Sequence, residues 1–464
     1  MEKFSRKHVS ELEKIVGKGD VTVEQSDLSL YSYDATTMEH LPDCVVFPAT
    51  TEEVSGVMKL ASEWGIPVVP RGAGSGMSGG SIPIDGGIVM SLTSMKKIIQ
   101  MDRENLICRV ESGAVTGVIA SAASAEGLYY PPDPSSLNFC TIGGNIAHNS
   151  GGLHALKYGV TKNWVIGLTS VLPNGEVLKT GVRTMKGVVG YDLTKLICGS
   201  EGTLAIVTEA TLKLIPQPKC RAVAAALFPS SVKAGAAVSS IMAARIFPAM
   251  LELMDGTAIK CVEQHLHLGF PADAGGMLLV ELDGHPEAVK SEVADVVKIL
   301  ESHGAYGIRH ATDAAECERL WEARRSVAPS LGKVSPRRLS EDITVPRTEI
   351  PHAIELVMEI GKKHGLKMAV FGHAGDGNLH VNILEDQRDE KIRPAIYKAV
   401  EEILMTSVNL GGTISGEHGV GLTKKKYIGM EIGPEGLRVL RDIKKVFDPK
   451  NILNPSKILP GEDV

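Results

Sequence analysis

The run MAVFGHAGDGNLHVNIL at 368–384 sets two imidazoles, His373 and His380, around a Gly375–Asp376–Gly377 turn. Apolar, strand-forming residues on both sides of such a turn are a hairpin signal. On one straight strand the two histidines, an odd number of positions apart, would face opposite sides. A hairpin bend between them removes that restriction and lets both rings meet across the two arms. Beyond the turn His380 and Asn382 share one face, while Val381 and Ile383 take the other. The polar face is therefore wet or functional, and the apolar face is core. Further along, GGTISGEHGVG sets Glu417 and His418 between glycines. Imidazoles and a carboxylate of this kind, brought together, suit a divalent metal with an open coordination position, and the donor set accepts zinc, iron or manganese. Glycine on every side leaves these side chains little packing purpose.

Other residues suit a large anionic ligand. Segment 70–81, PRGAGSGMSGGS, contains G-x-G-x-x-G at Gly74, Gly76 and Gly79, with Asp102 beyond. A dinucleotide fingerprint needs a helix whose N-terminus meets the pyrophosphate. Here the glycines run into SIPIDGGIVMSL, a turn and then a strand. Successive small residues leave backbone N–H groups uncovered as an anion nest, and Arg71 adds positive charge. The reading is a phosphate cradle without a Rossmann helix; a plain surface turn is the alternative. A second region, YPPDPSSLNFCTIGGNIAHNSGG at 130–152, begins with prolines that fix an extended backbone. Its Gly143–Gly144–Asn145 and Asn149–Ser150–Gly151–Gly152 permit close approach to a flat ligand. A third, GSEGTLAIVTEATLKL at 199–214, opens on glycines and continues as a strand. Three such loops in one domain imply an extended cofactor gripped at several points.

Rigid elements must hold these loops. The chain has 464 residues, enough for two large units or three ordinary ones. Apolar periodicity predicts helices over 3–17, 51–64 and 114–126, alternating with strands CVVFP, IPVVP, GIVMSL and AIVTEATLKLI. Pro216–Gln217–Pro218 reads as a joint. Helices over 231–245, 287–302 and 350–364 follow, with strands GMLLVEL and KMAVFGH, and a last amphipathic helix covers 434–447. The net charge of −6 argues against nucleic acid as the main partner. Composition excludes collagen-like, disordered and disulfide-scaffold classes. The seven cysteines are odd in number and form no CxxC, which excludes zinc-ribbon and iron–sulfur spacing and reads as reduced, mostly buried thiols of a cytoplasmic protein. Neither a signal peptide nor a transmembrane helix is expected.

In their order and spacing, PRGAGSGMSGGS, PPDPSSLNFCTIGGNIAHNSGG and GSEGTLAIVTE resemble the flavin domain of the vanillyl-alcohol-oxidase-type, or PCMH-type, FAD-linked oxidoreductases. Within that family the likeness points to D-lactate dehydrogenases, glycolate oxidase large subunits and D-2-hydroxyglutarate dehydrogenases, over roughly residues 20–460. The resemblance implies an α+β architecture. A two-subdomain PCMH-type FAD-binding domain with an N-terminal helix would span 1–218, and an α+β substrate or cap domain 219–410. A C-terminal helical segment, 411–464, would return to the FAD domain. It further implies FAD held by Arg71, Gly72, Ala73, Gly74, Ser75, Gly76 and Ser81, by Pro132, Asp133, Thr141, Gly144, Asn145 and Asn149, and by Glu201, Gly202 and Ile206. Some members attach FAD through a histidine of the first loop; that loop has none here, so a non-covalent FAD is expected. His373, His380 and Glu417 match metal ligands, and His418 matches the active-site base.

In LWEARRSVAPSL, Arg324 matches the family's Leu-Trp-x-x-Arg position, where a planar guanidinium clamps a substrate carboxylate. Arg325 reads as solvated helix face, and Asn382 is assigned to substrate beside Arg324. RLSEDITVP carries Ser340 where the hydroxyglutarate enzymes have a lysine, which argues against a long dicarboxylate substrate. The expected activity is FAD-dependent oxidation of a small (R)-2-hydroxy acid, D-lactate before glycolate, to the 2-oxo acid. Arg324 would anchor the carboxylate, the metal would bind the hydroxyl, His418 would take its proton, and the Cα hydrogen would leave as hydride to the flavin. Electrons would pass to an external acceptor such as an electron-transfer flavoprotein, an iron–sulfur subunit, a cytochrome or a quinone. Alternatives are D-2-hydroxyglutarate oxidation, a metal-dependent hydrolase, and a non-catalytic flavoprotein subunit.

Overall fold

The structure, a computed structural model, describes residues 4–184 and 186–461. Its contacts divide the chain into two units: Met1–Gly152, Gly159–Gln217 and Glu417–Val464 form the first, and Leu153–Tyr158 with Pro218–Gly416 the second. The sequence places the later division at 410/411, whereas the chain leaves the second unit only after Gly416. Local bonding accounts for this. Thr413 bridges Thr344 as a β-partner, and Ser407 Oγ donates to the carbonyls of both. The short segment Leu153–Tyr158 joins the second unit through Asp283, whose carboxylate takes Lys157 Nζ at 2.5 Å and Tyr158 OH at 2.6 Å.

The first unit contains a four-stranded sheet ordered Val21–Thr22, Cys44–Val46, Ile88–Ser91, Val68–Arg71; its last three strands are parallel. Val54, Val57, Met58 and Ala61 of the helix Thr51–Trp64 pack into the core with Cys44, Val46, Val68, Ile88 and Met90. Thr50 Oγ1 caps that helix by accepting Glu53 N, and Gly65 ends it in the left-handed conformation. A five-stranded antiparallel sheet follows, ordered Ile98–Asp102, Ile107–Glu111, Ile206–Lys213, Val165–Val171, Val177–Gly181. The C-terminal segment is stitched into the same unit: Val68 N donates to Ile452 O and Asn454 N to Val68 O, both at 2.8 Å.

The second unit is built on seven antiparallel strands ordered Tyr306–Ala311, Cys220–Phe228, Gly276–Gly284, Met250–Asp255, Met368–Gly372, Asn378–Ile383, Leu339–Thr344. Paired residues share a face of a sheet, and alternate residues along each strand share it too. The register pairs Val223 and Met250 with Glu281, Glu252 with Leu279, Met254 and His380 with Phe371, His380 with Asp342, and Asn382 with Ser340. One face therefore mixes apolar residues with Glu281, Glu252, His380, Asn382 and Asp342. Trp321, Leu320 and Ala323 of the helix Ala314–Arg325, with Val327 and Leu331 of the next, pack on its apolar part. The architecture is α+β, as expected.

Candidate functional site

All three glycine loops of the first unit line one cavity. Segment 70–81 continues as turns and bends rather than as a helix. Small residues are required here by close approach. A Cβ at Gly72 would lie 2.2 Å from Thr141 Oγ1, and one at Gly74, where φ is +67°, would lie 2.2 Å from the Arg71 guanidinium. Arg71 itself is buried, donates to Tyr33 O at 2.6 Å and Ser81 Oγ at 3.3 Å, and forms no ion pair among the described residues. Burial holds its pKa below the usual guanidinium value, partly offset by the charge of Asp34. A buried cation of this kind is stabilised by an anion. Buried polar atoms without a hydrogen-bond partner among the described residues also sit in the lining, namely Ser112 Oγ, Ser200 Oγ and His148 Nδ1.

Of the residues expected at FAD, Arg71, Gly72, Ala73, Gly74, Ser75, Gly76 and Ser81 line this cavity, as do Thr141, Gly144, Asn145, Glu201, Gly202 and Ile206. Pro132, Asp133 and Asn149 lie outside the lining. Asn149 instead ends the helix Ile142–His148 in a left-handed conformation and accepts Lys162 N on Oδ1. Both oxygens of Glu201 accept backbone N–H groups, from Val420 and Gly421. That carboxylate thus fixes the loop that follows Glu417 and His418, two further residues of the same lining.

In the second unit, His380 stands in the strand Asn378–Ile383 and His373 directly after the strand Met368–Gly372, where the hairpin of these two strands begins its turn. Gly377 turns with φ +87°, and a Cβ there would lie 2.0 Å from Val345 O. The rings meet edge to face, with their Nε2 atoms 3.4 Å apart. Two imidazole nitrogens converging in this way fit a shared cation. Behind them lies Glu252, 0 % exposed, with Oε1 2.7 Å from His373 Nδ1 and Oε2 accepting Arg324 Nε at 2.7 Å. Arg324 is 8 % exposed and lies over the Phe371 ring at 4.8 Å; among the described residues neither of its terminal nitrogens has a hydrogen-bond partner. Arg325 is exposed and pairs with Glu318, as read from its helix face. Asn382 is buried, and its Oδ1 accepts Arg338 Nε at 3.1 Å.

Glu281 shows what a structural carboxylate on this sheet face looks like. Arg221 binds it through two nitrogens, and Trp321 Nε1 donates to it at 2.9 Å. Burial alone would raise its pKa; hydrogen bonds and charges from His154 and Arg221 outweigh burial and hold it below the usual value.

Comparison with known proteins decides the family. Residues 42–181 match the FAD binding domain family, and residues 217–458 match the family of FAD linked oxidases, C-terminal domain. The chain belongs to the FAD-linked oxidases. The glycolate oxidase subunit GlcD of Bacillus subtilis is 43 % identical over 92 % of this chain and 92 % of its own length. A D-lactate dehydrogenase of Anaerostipes hadrus is 35 % identical over 90 % of this chain and 89 % of its own. Among solved structures, p-cresol methylhydroxylase with substrate bound has a TM-score of 0.81 at 19 % identity, covering 97 % of this chain and 95 % of its own; this likeness shows the fold. FAD is the cofactor of this FAD-linked oxidase. Among the described residues no helix is long and apolar enough to cross a membrane.

Three residues in contact with these candidates, His148, Arg338 and Glu252, carry no signal of it in the sequence. His148 stands four residues past Gly144, and nothing in its type marks it as part of the lining. Arg338 and Glu252 carry only ordinary charge. Glu252 lies 121 positions from His373, and only strand order reveals their contact.

Proposed function

We propose that this FAD-linked oxidase converts a small (R)-2-hydroxy acid, D-lactate first and glycolate second, to the 2-oxo acid. The observation that carries the reading is the chain Arg324–Glu252–His373. A 2-hydroxy acid carries its carboxylate and hydroxyl on neighbouring carbons. Groups that recognise the two must therefore be neighbours, and a single buried carboxylate ties this guanidinium to this imidazole. The names of the relatives, a glycolate oxidase subunit and a D-lactate dehydrogenase, support the same substrate class.

Arg324 binds the substrate carboxylate through its two terminal nitrogens, a planar fork that suits that group. His373 and His380, with Glu417 next after Gly416 in the chain, hold a divalent metal, whether zinc, iron or manganese. Asn382 faces the substrate from the same sheet face as His380. His418 takes the hydroxyl proton on a ring nitrogen; it lines the same cavity as the FAD loops, which supports its place beside the flavin. When bound, FAD supplies a two-electron hydride acceptor and the metal supplies a Lewis acid for the hydroxyl. The glycine loops grip FAD without a covalent link, since 70–81 contains no histidine. Electrons leave to an external acceptor, an electron-transfer flavoprotein, an iron–sulfur subunit, a cytochrome or a quinone. A cytoplasmic site of action accords with the seven free thiols, six of them buried.

The test is an anaerobic panel of 2-hydroxy acids, both enantiomers, scored by bleaching of the flavin. D-Lactate and glycolate should bleach it fastest, with L-lactate and D-2-hydroxyglutarate slower. Fastest bleaching by D-2-hydroxyglutarate would move the reading to the longer dicarboxylate, and no bleaching by any member would refute it.

A further inference from the structure

We propose that Glu252 is the positioning residue of the histidine pair: it fixes His373 with its proton on Nδ1, and so fixes the lone pair of that ring on Nε2, toward His380. The inference rests on the reading of His373 and His380 as metal ligands.

A carboxylate is an acceptor, and among the described residues each oxygen of Glu252 has one partner. Oε2 accepts the Arg324 Nε–H, and Oε1 lies 2.7 Å from His373 Nδ1. The second contact is a hydrogen bond when the ring proton is on Nδ1. The opposite tautomer would set a nitrogen lone pair against a carboxylate oxygen at that distance, with no water to separate them at a 0 % exposed side chain. With Nδ1 protonated, Nε2 is the ligating nitrogen. It is the atom that lies 3.4 Å from His380 Nε2. A ligand histidine whose far nitrogen donates to a carboxylate is oriented and made more basic, an effect whose loss ordinarily costs 10- to 100-fold in metal affinity.

Strand geometry places Glu252 for this task. It sits in the strand beside the one that leads into His373, where Leu253 pairs with Gly372 and Met254 with Phe371. Gly372 has φ 157°, and a Cβ there would lie 2.4 Å from Asn378 O, so the turn carrying His373 is held tightly. Glu281, on the same sheet face, is equally buried but is saturated by Arg221 and Trp321. Two buried glutamates of one sheet face thus differ in what they touch. Only Glu252 faces a metal-ligand candidate.

The experiment uses the FAD-loaded protein, stripped of metal by a chelator and titrated with Mn(II), with free Mn(II) read by electron paramagnetic resonance. Glu252→Gln should weaken Mn(II) binding by about 10- to 100-fold while FAD content is unchanged. Glu252→Asp, which keeps an acceptor at shorter reach, should recover part of the loss. Glu281→Gln, a buried-charge control, should bind Mn(II) as the unmodified protein does. Nitrogen-15 NMR of histidine-labelled protein, with His373 assigned through its loss in His373→Gln, gives a second readout that needs no altered Glu252. It should find the His373 proton on Nδ1. Equal Mn(II) affinity in Glu252→Gln, or a His373 proton on Nε2, overturns the proposal. If the unmodified protein takes up no Mn(II), the metal reading fails, and the tautomer alone decides the role of Glu252. If Glu252→Gln does not fold, the tautomer decides it likewise.

Discussion

Glu201 holds Gly421: its Oε2 accepts the Gly421 N–H at 2.8 Å, while Oε1 takes the neighbouring Val420 N–H at the same distance. The third glycine loop is thereby tied to the segment that begins at Glu417, through a charge-assisted pair of bonds. Gly421 has φ +47°, and a Cβ would lie 2.2 Å from Ser78 O, so a turn with no spare room carries this contact. Glu201→Gln leaves one N–H facing an amide donor. It should weaken local closure of this loop by about 1.5–3 kcal/mol, the worth of a hydrogen bond to a charged group. Hydrogen exchange of the peptide covering 417–422 reads this directly, and unchanged protection would show that the loop is held by other contacts.

Arg324→Lys tests the carboxylate fork. Lysine keeps the charge but loses both the planar two-point contact and the Nε–H donated to Glu252. KM for D-lactate should rise strongly while FAD content stays the same. An unchanged kcat/KM would reduce Arg324 to a counter-ion of Glu252.

His418→Ala tests the base. FAD and metal content should be retained while flavin reduction by D-lactate slows by about 10²–10⁴, the usual worth of a positioned general base. His380→Ala should instead lose metal and turnover together. Metal analysis with stopped-flow reduction separates the two; loss of metal from His418→Ala with retention in His380→Ala would invert the roles.

Lys457 supplies a pH dependence. Its Nζ donates to Ile82 O, and burial pushes its pKa down to about 8 from 10.5, against the opposing charge of Asp85. Between these values the unfolded chain binds more protons at this group than the folded one, so stability rises with pH across that window. Below about 8 both states are protonated and the penalty of burying the charge is constant. Comparing melting temperatures from pH 8 to 10 should show a rise contributed by Lys457 that is missing in Lys457→Met. Parallel curves for the two proteins would contradict it.

Much of the fold was legible where local signals suffice. The helix Thr51–Trp64 was legible from its apolar stripe, and the structure adds Thr50 as its cap and Gly65 as its end. The glycine run at 70–81 showed its lack of a helix through Pro83 and the strand behind it. The hairpin bearing His373 and His380 was legible because a Gly-Asp-Gly turn sits between two apolar strands. Long-range partnerships were not. Nothing near Leu153–Tyr158 announces that it packs with Asp283, and Glu252 reads as one charge in an otherwise apolar strand. Arg324 could be recognised by its motif, but its bond to Glu252 depends on a seven-strand order that periodicity does not encode. Arg324, His373 and His380 were readable by type and motif; Glu252, which bonds to two of them, was not.

Anaerobic stopped-flow reduction with D-lactate, unlabelled and deuterated at Cα, tests the central claim most directly. The account predicts that the oxidised-flavin absorbance bleaches in a single turnover, that pyruvate forms in equal amount, and that deuterium slows the bleaching, because the Cα–H bond breaks in the step that reduces the flavin. Flavin that stays oxidised with D-lactate, glycolate and every other 2-hydroxy acid would contradict it.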